Sequence, residues 1–194
     1  MKTKSKILVI IGSILLLGTF IFPIWKIDIE APQYPEGMGL YIWINKITGE
    51  GPNDLNTLNG LNHYIGMKTI DEESIPELVF MPYIIVTLTF LGLLVAYKGG
   101  SRSILTLIIL IILLGVVGMY DFYMWEYDYG HNLNPDAPIK VPGMSYQPPF
   151  IGSKQLLNIN ATSLPWIGSA FIGMSVLLFG FSYLNERKNK GIQA

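Results

Sequence analysis

The side chains best equipped for chemistry are two histidines and a group of methionines. His63 and His131 are the only histidines of the chain. His63 and Met67 are four residues apart, a spacing that on a helix places an imidazole and a thioether on one face, one turn apart. With His131, Met124 and Met144 they form a soft nitrogen and sulfur donor set suited to Cu(I). Copper is therefore the cofactor to expect, with His63, Met67, His131, Met124 and Met144 as its ligands. Zinc fits less well, because the chain has no cysteine and lacks a third histidine. Ordinary packing explains the same residues, since methionine fills irregular gaps in any core.

A second group is acidic and aromatic: Asp121, Glu126 and Asp128 within the run YDFYMWEYDYGH. Carboxylates this close to an apolar segment need a partner or water. Asp121 has Lys140 or Lys26 as candidate partners, or a metal or proton-relay role. A hydrated belt with structural hydrogen bonds is the reading favoured for the group. Asn53, Asn56, Asn59 and Asn62 recur every third residue, and their amides are suited to capping turns and satisfying loop carbonyls. No phosphate-binding loop, nucleophile elbow, HExxH or dinucleotide fingerprint is present. The apolar segments carry no histidine pair for haem and no central charge for ion coupling. The reading is a protein that is not an enzyme.

The elements that must hold these groups are membrane spans. Only 14% of the residues are charged, 51% are hydrophobic, and the mean hydropathy is +0.42. That composition departs from soluble domains toward membrane proteins. The net charge of −1 is silent on nucleic acid, which is not expected as a partner because no basic block with interleaved aromatics is present. Crossing a bilayer takes about 20 apolar residues. Four segments qualify, at about residues 7–25, 78–97, 104–119 and 164–184. The first has a basic start resembling a signal peptide, but its apolar run is long and no small-residue cleavage site follows, so it reads as a retained anchor.

Basic residues set the orientation. Lys2, Lys4, Lys6, Lys98, Arg102, Arg187, Lys188 and Lys190 fall on one side, with Glu186 as the only acid. Lys26, Lys46, Lys68, Lys140 and Lys154 fall on the other, with all remaining acids. The two sides carry +7 and −8, which together give the chain's −1. Both termini are therefore expected in the cytoplasm, in a multi-pass inner-membrane protein.

The long segments 26–77 and 120–163 lie outside, and both are too long for simple connectors. They are expected to form a small extracytoplasmic cap. Segment 54–67 reads as a helix from Leu55, Leu58, Leu61 and Ile65, with Asn53 or Asp54 as its cap. Ser74 and Glu77 resemble a capping box before the second span. Segment 120–163 is turn-rich with little periodicity. The fold class expected is an all-α membrane protein: one polytopic domain over residues 1–194, with four transmembrane helices and two long extracytoplasmic loops forming the cap.

The segments LNGLNHYIGMK (58–68) and YDYGHNLNPDAPIKVPGMSYQPPFIGSKQLLN (127–158) resemble a small four-span membrane protein encoded beside nitrous oxide reductase in bacteria with the clade II type of denitrification cluster. The resemblance covers both outer loops and the span pattern. It implies an accessory role in nitrous oxide respiration, where neighbouring factors deliver copper and sulfur to the reductase or pass electrons towards it. Under that role His63, Met67 and His131 are the residues expected to matter if copper is involved. The function expected is a membrane accessory protein for extracytoplasmic copper handling or copper-enzyme maturation. The alternative is a non-catalytic structural or assembly subunit of a larger membrane complex. The bilayer is a partner in both, together with other membrane or periplasmic proteins.

Overall fold

The computed structural model describes residues 1–190, with side chains through residue 188. The Lys190 side chain, counted above among the basic residues, lies outside that range. In chain order the elements are α1 (Thr3–Leu15, prolonged by a 3-10 turn at Leu16–Phe20), β1 (Trp25–Ala31), β2 (Tyr34–Ile42), β3 (Ile47–Gly49), α2 (Asp54–Ile65), α3 (Glu77–Lys98), α4 (Ser101–His131), β4 (Gly152–Leu156), β5 (Ile159–Pro165) and α5 (Ile167–Lys190).

Four helices are long and apolar enough to cross a membrane: Thr3–Phe20, Glu77–Lys98, Ser101–His131 and Ile167–Lys188. α1 packs against α5 and α3, and α4 against α5 and α3, so the four close into a ring. Val9, Leu16, Leu88, Ile104, Leu107 and Phe179 fill its interior. Small residues let α1 and α5 approach closely. A Cβ at Gly12 would meet the Phe179 ring at 2.7 Å, and one at Gly18 the Phe171 ring at 2.6 Å. Two hydroxyls clamp the same pair: Ser175 Oγ donates to Gly12 O at 2.7 Å and Ser182 Oγ to Ser5 O at 3.0 Å. Gly115, Gly118, Gly173 and Gly180 instead face open space.

The all-α expectation is overturned. The segments between the spans build a five-stranded antiparallel sheet of order β3-β2-β1-β5-β4, and the chain is mixed α/β. Segment 26–77 supplies most of three strands and segment 120–163 most of two. They meet where β1 pairs β5, with Ile27 opposite Ser163 and Ile29 opposite Ala161. Two-residue alternation in Trp25, Ile27, Ile29 and Ala31 is the local cause, because it puts one apolar side on a sheet face. Trp25 therefore starts a strand, and the first span ends at Phe20 rather than at residue 25. The Trp25 indole N–H donates to Ser163 Oγ at 2.8 Å, a buried cross-strand link.

One sheet face packs on α2 and on the upper end of α4. Trp25, Ile27, Leu40, Ile47, Leu58, Ile70 and Tyr129 form this second core. The opposite face is polar, and there Lys26 Nζ pairs with Asp28 at 2.9 Å and Glu50 at 3.1 Å. Lys26 is thus engaged away from Asp121, which is exposed.

The cap of α2 differs from the expected form. Asn53 makes no side-chain cap bond. Asp54 Oδ2 instead accepts the Gly51 N–H at 2.9 Å and the Gly39 N–H at 3.0 Å, tying the helix start to β2. α3 begins after Pro76, without a side-chain cap bond, and Asp71 caps the preceding 3-10 turn (Glu72–Ser74) by accepting the Glu73 N–H. Asn59 holds the next segment from both sides: its Nδ2 donates to Ile70 O at 3.0 Å and its Oδ1 accepts Ile70 N–H at 2.7 Å.

The β4–β5 hairpin turns on Leu157 and Asn158, between the pair Leu156 and Ile159. Leu157 has φ 56°, the left-handed region, which opposes a leucine Cβ by about 1–2 kcal/mol. Two-residue hairpin turns favour asparagine or glycine there. Leu157 is half exposed, so its side chain contributes little packing. Leu157→Asn is expected to stabilise the protein by about 1 kcal/mol, read as a higher Tm.

Candidate functional site: a cavity in the cap

α4 is the element that positions the site. Its 31 residues extend about 46 Å at 1.5 Å per residue. The hydrocarbon core takes about 30 Å of this, or some 20 residues. About three turns of α4 are thus more than a crossing needs, and its last turns pack into the cap. The apolar run ends near Met119, but the helical phase continues as Phe122, Trp125 and Tyr129. These rings pack towards the sheet: Phe122 lies 5.3 Å from Trp25, and Trp125 lies 4.3 Å from Tyr129, between ring centroids.

Glu126 sits within this stripe, one turn beyond Phe122. The phase that buries the aromatics buries the carboxylate too, and Glu126 is fully inaccessible. It lines a cavity of about 70 Å³. That is on the order of two water volumes. Ile27 and Ile29 of β1, Leu40 of β2, Leu58 and Leu61 of α2, and Met67, Trp125, Tyr129 and Tyr146 contribute to the wall. Both Glu126 oxygens, the Trp125 Nε1 and the Tyr146 hydroxyl have no hydrogen-bond partner within the protein. Among the described residues the only other such buried side-chain atom is Thr89 Oγ1, on α3. Buried polar atoms are nearly always paired, so four of them around one cavity set it apart.

Burial in apolar surroundings disfavours the carboxylate and pushes the Glu126 pKa up to about 8. The acid is mostly protonated at neutral pH and can donate one hydrogen bond. Asp128, two residues on, faces outward. The Lys68 ammonium 2.5 Å away holds its carboxyl below the usual range. Two carboxylates of one helix turn thus hold opposite protonation states.

The five proposed ligands are distributed as follows. His63 is exposed on α2, 6.0 Å from the Tyr64 ring. α2 ends at Ile65, and Gly66 is left-handed with φ 82°. Met67 therefore lies beyond the helix, and the one-face argument for the His63 and Met67 pair lapses. Met67 lines the cavity instead. His131 ends α4, exposed and stacked on Tyr127 at 4.0 Å, with its Nδ1 against Tyr127 O at 3.0 Å. Met124 is exposed on α4, and Met144 is half-buried in the following loop. Among the described residues no three His, Cys, Asp or Glu side chains come close enough to hold a metal ion.

The structure does join the ends of α2 and α4. Asn134 N donates to Gly66 O at 2.7 Å, Ile139 N to Tyr64 O at 2.9 Å, and Tyr129 Oη to Thr69 O at 3.0 Å. Composition alone assigned Glu126 to a hydrated belt. The signal that separates it from Asp121 and Asp128 is phase: only Glu126 falls on the stripe of Phe122, Trp125 and Tyr129.

Four helices long and apolar enough to span a membrane carry a mixed α/β cap with a buried acid, an arrangement consistent with a membrane protein. Compared with protein families, characterised proteins and solved structures, the chain matches none.

Proposed function

We propose that this chain is a non-catalytic accessory subunit of the cytoplasmic membrane that docks a larger membrane or periplasmic complex through its cap. In this reading both termini are cytoplasmic and the cap is outside, as the partition of basic residues supports. The carrying observation is an exposed apolar surface on the cap. Tyr64, Ile139 and Val141 are 55%, 50% and 39% exposed. Tyr64 and Ile139 are adjacent, being joined through their backbones. Apolar side chains grouped outside the bilayer mark interaction surfaces. The outward glycines of α4 and α5 give a second, intramembrane surface for close helix contact.

The loop resemblance supports nitrous oxide respiration as the process and copper-enzyme maturation as the partner's task. Copper chemistry belongs to the partner in this reading, because Met67 lies beyond the helix that carries His63 and, among the described residues, no three His, Cys, Asp or Glu side chains group together. In a Cu(I) competition titration, His63→Ala and Met67→Ala are expected to leave affinity within about twofold of the parent. A drop of about tenfold (1.4 kcal/mol) in either returns metal ligation to this chain.

Docking is tested by purifying a tagged copy from native membranes in mild detergent. A stoichiometric partner is expected. Ile139→Glu combined with Tyr64→Ala is expected to lower its recovery by about tenfold, with an unchanged Tm, as hot-spot removal does. Recovery of the parent protein alone defeats the reading.

A further inference from the structure

We propose that the bundle end remote from the cap carries a site for one anionic phospholipid, its phosphate between Lys6 and Lys98 and an acyl chain along α3. The inference goes beyond docking. It rests on the four helices crossing a bilayer, and on neither the cap surface nor the side on which the termini lie.

Helix packing brings the two lysines together. Gly92 of α3 lies against Ser13 of α1, where an added Cβ would overlap the Ser13 hydroxyl. Lys6 stands about two turns before Ser13, and Lys98 just under two turns after Gly92. The close contact therefore sets them at one level of the antiparallel pair. Lys6 Nζ lies 5.8 Å and Lys98 Nζ 5.7 Å from the centroid of the Tyr97 ring. Two ammoniums from different helices thus flank a single ring, which is 72% exposed.

No acid of the chain answers this charge. Among the described residues neither lysine has a carboxylate partner. Segments 1–6, 95–104 and 182–190 meet at this end, and Glu186 is their only acid. Glu186 is engaged on the α5 side, where it accepts the Lys2 backbone N–H at 2.7 Å. A ring face stabilises an ammonium but leaves its charge in place. Arg102, exposed at the start of α4, adds to the same field. Basic pockets between spanning helices, at the level of the headgroups, take anionic lipids. A phosphodiester has acceptor oxygens for both ammoniums at once.

The surface beside the lysines selects a lipid over a free phosphate. Leu94, Phe90 and Val86 follow Tyr97 at helical spacing and are all exposed. They form an apolar stripe that leads from the ring along the span, in the direction an acyl chain takes from its headgroup. A free phosphate makes no use of that stripe.

The test is native mass spectrometry of the full-length protein in detergent, titrated with dioleoylphosphatidylglycerol or dioleoylphosphatidylcholine. Both lipids have the phosphate and the same chains, but choline cancels the charge. The glycerol lipid is expected to form a one-to-one adduct at least about tenfold more tightly. Raising ammonium acetate from about 0.1 M to about 1 M, which shortens the screening length from about 10 Å to about 3 Å, should weaken it severalfold. Lys6→Ala or Lys98→Ala should each weaken it about fivefold, and the pair about thirtyfold, as about 1 kcal/mol per lysine implies. Arg187→Ala with Lys188→Ala removes the same charge from α5, across the ring from α3, and should stay within about twofold of the parent. Equal adducts of the two lipids, an equal loss in the α5 variant, an unaffected lysine pair variant, or displacement of the lipid by excess inorganic phosphate overturns the proposal. Flotation with phosphatidylcholine vesicles keeps the membrane reading separate. Flotation without lipid preference overturns the lipid site alone, and no flotation defeats both. The lipid comparison uses the parent protein, so it stands whatever the variants do to folding.

Discussion

Replacing Glu126 by leucine is expected to raise the thermal stability of the protein at pH 8 and to remove most of its pH dependence between pH 5 and pH 8. The sign follows from proton linkage. In the unfolded chain Glu126 ionises near its ordinary value of 4.5, whereas in the fold it holds its proton to about 8. Between those values the native state binds more protons than the unfolded one. Stability therefore falls as pH rises, by about 1.4 kcal/mol per unit from this group alone. The full range corresponds to about 4–5 kcal/mol, an upper figure because water entry and relaxation reduce it. Below about pH 4.5 both states are protonated and the effect vanishes. Glu126→Leu removes the titration and fills the site with a side chain matched to Ile27 and Leu40. Glu126→Gln removes the titration but keeps an unpaired polar group, so it should flatten the profile with a smaller gain. Tm measured in detergent at pH 5, 6.5 and 8 reads all three proteins. A parent profile that is flat or rises over that range contradicts the assignment.

Gly130→Ala is expected to destabilise the protein by more than about 2 kcal/mol, the range of overpacking changes that force a backbone to move. Gly130 is buried in the last turn of α4, and a Cβ there would overlap the backbone of Gln147. The adjacent Tyr146 N–H donates to Gly130 O at 2.9 Å. The substitution thus pushes away the strand of chain that carries Tyr146 over the cavity. Faster amide exchange at Tyr146 should accompany the lower Tm. Gly118→Ala on the same helix is the control, because nothing lies within 4 Å of its added Cβ. Alanine is also the better helix former, so that variant should be as stable as the parent or slightly more so. Equal Tm values for the two variants would show that the close approach at Gly130 is not a constraint.

The parts of the fold legible in the residues were those set by local rules. Apolar runs of sufficient length marked four spans, because transfer into hydrocarbon depends on the composition of one contiguous segment. Leu55, Leu58, Leu61 and Ile65 marked α2 by their spacing. Trp25, in contrast, reads as the interfacial end of the first span, though Trp25, Ile27, Ile29 and Ala31 also carry the strand period. The end of α4 was hidden for a related reason. Asp121, Glu126 and Asp128 end the apolar run without ending the helix, because hydropathy reports transfer to lipid and not backbone conformation. Gly66 ends α2 before Met67, so the helical spacing on which the expected metal pair rested does not apply.

Sequence alone thus determined four apolar lengths, each long enough to cross a membrane. Tertiary structure decided everything in the cap. β1 and β5 pair across 130 or more positions, with Ile27 opposite Ser163, and no local pattern encodes which strand a strand will meet. The same pairing closes the wall over Glu126. Its burial, and the contrast with solvent-facing Asp128, arise only when the sheet is laid against the stripe of Phe122, Trp125 and Tyr129. A carboxylate's role depends on what surrounds it, and here those surroundings come from segments far apart in the chain.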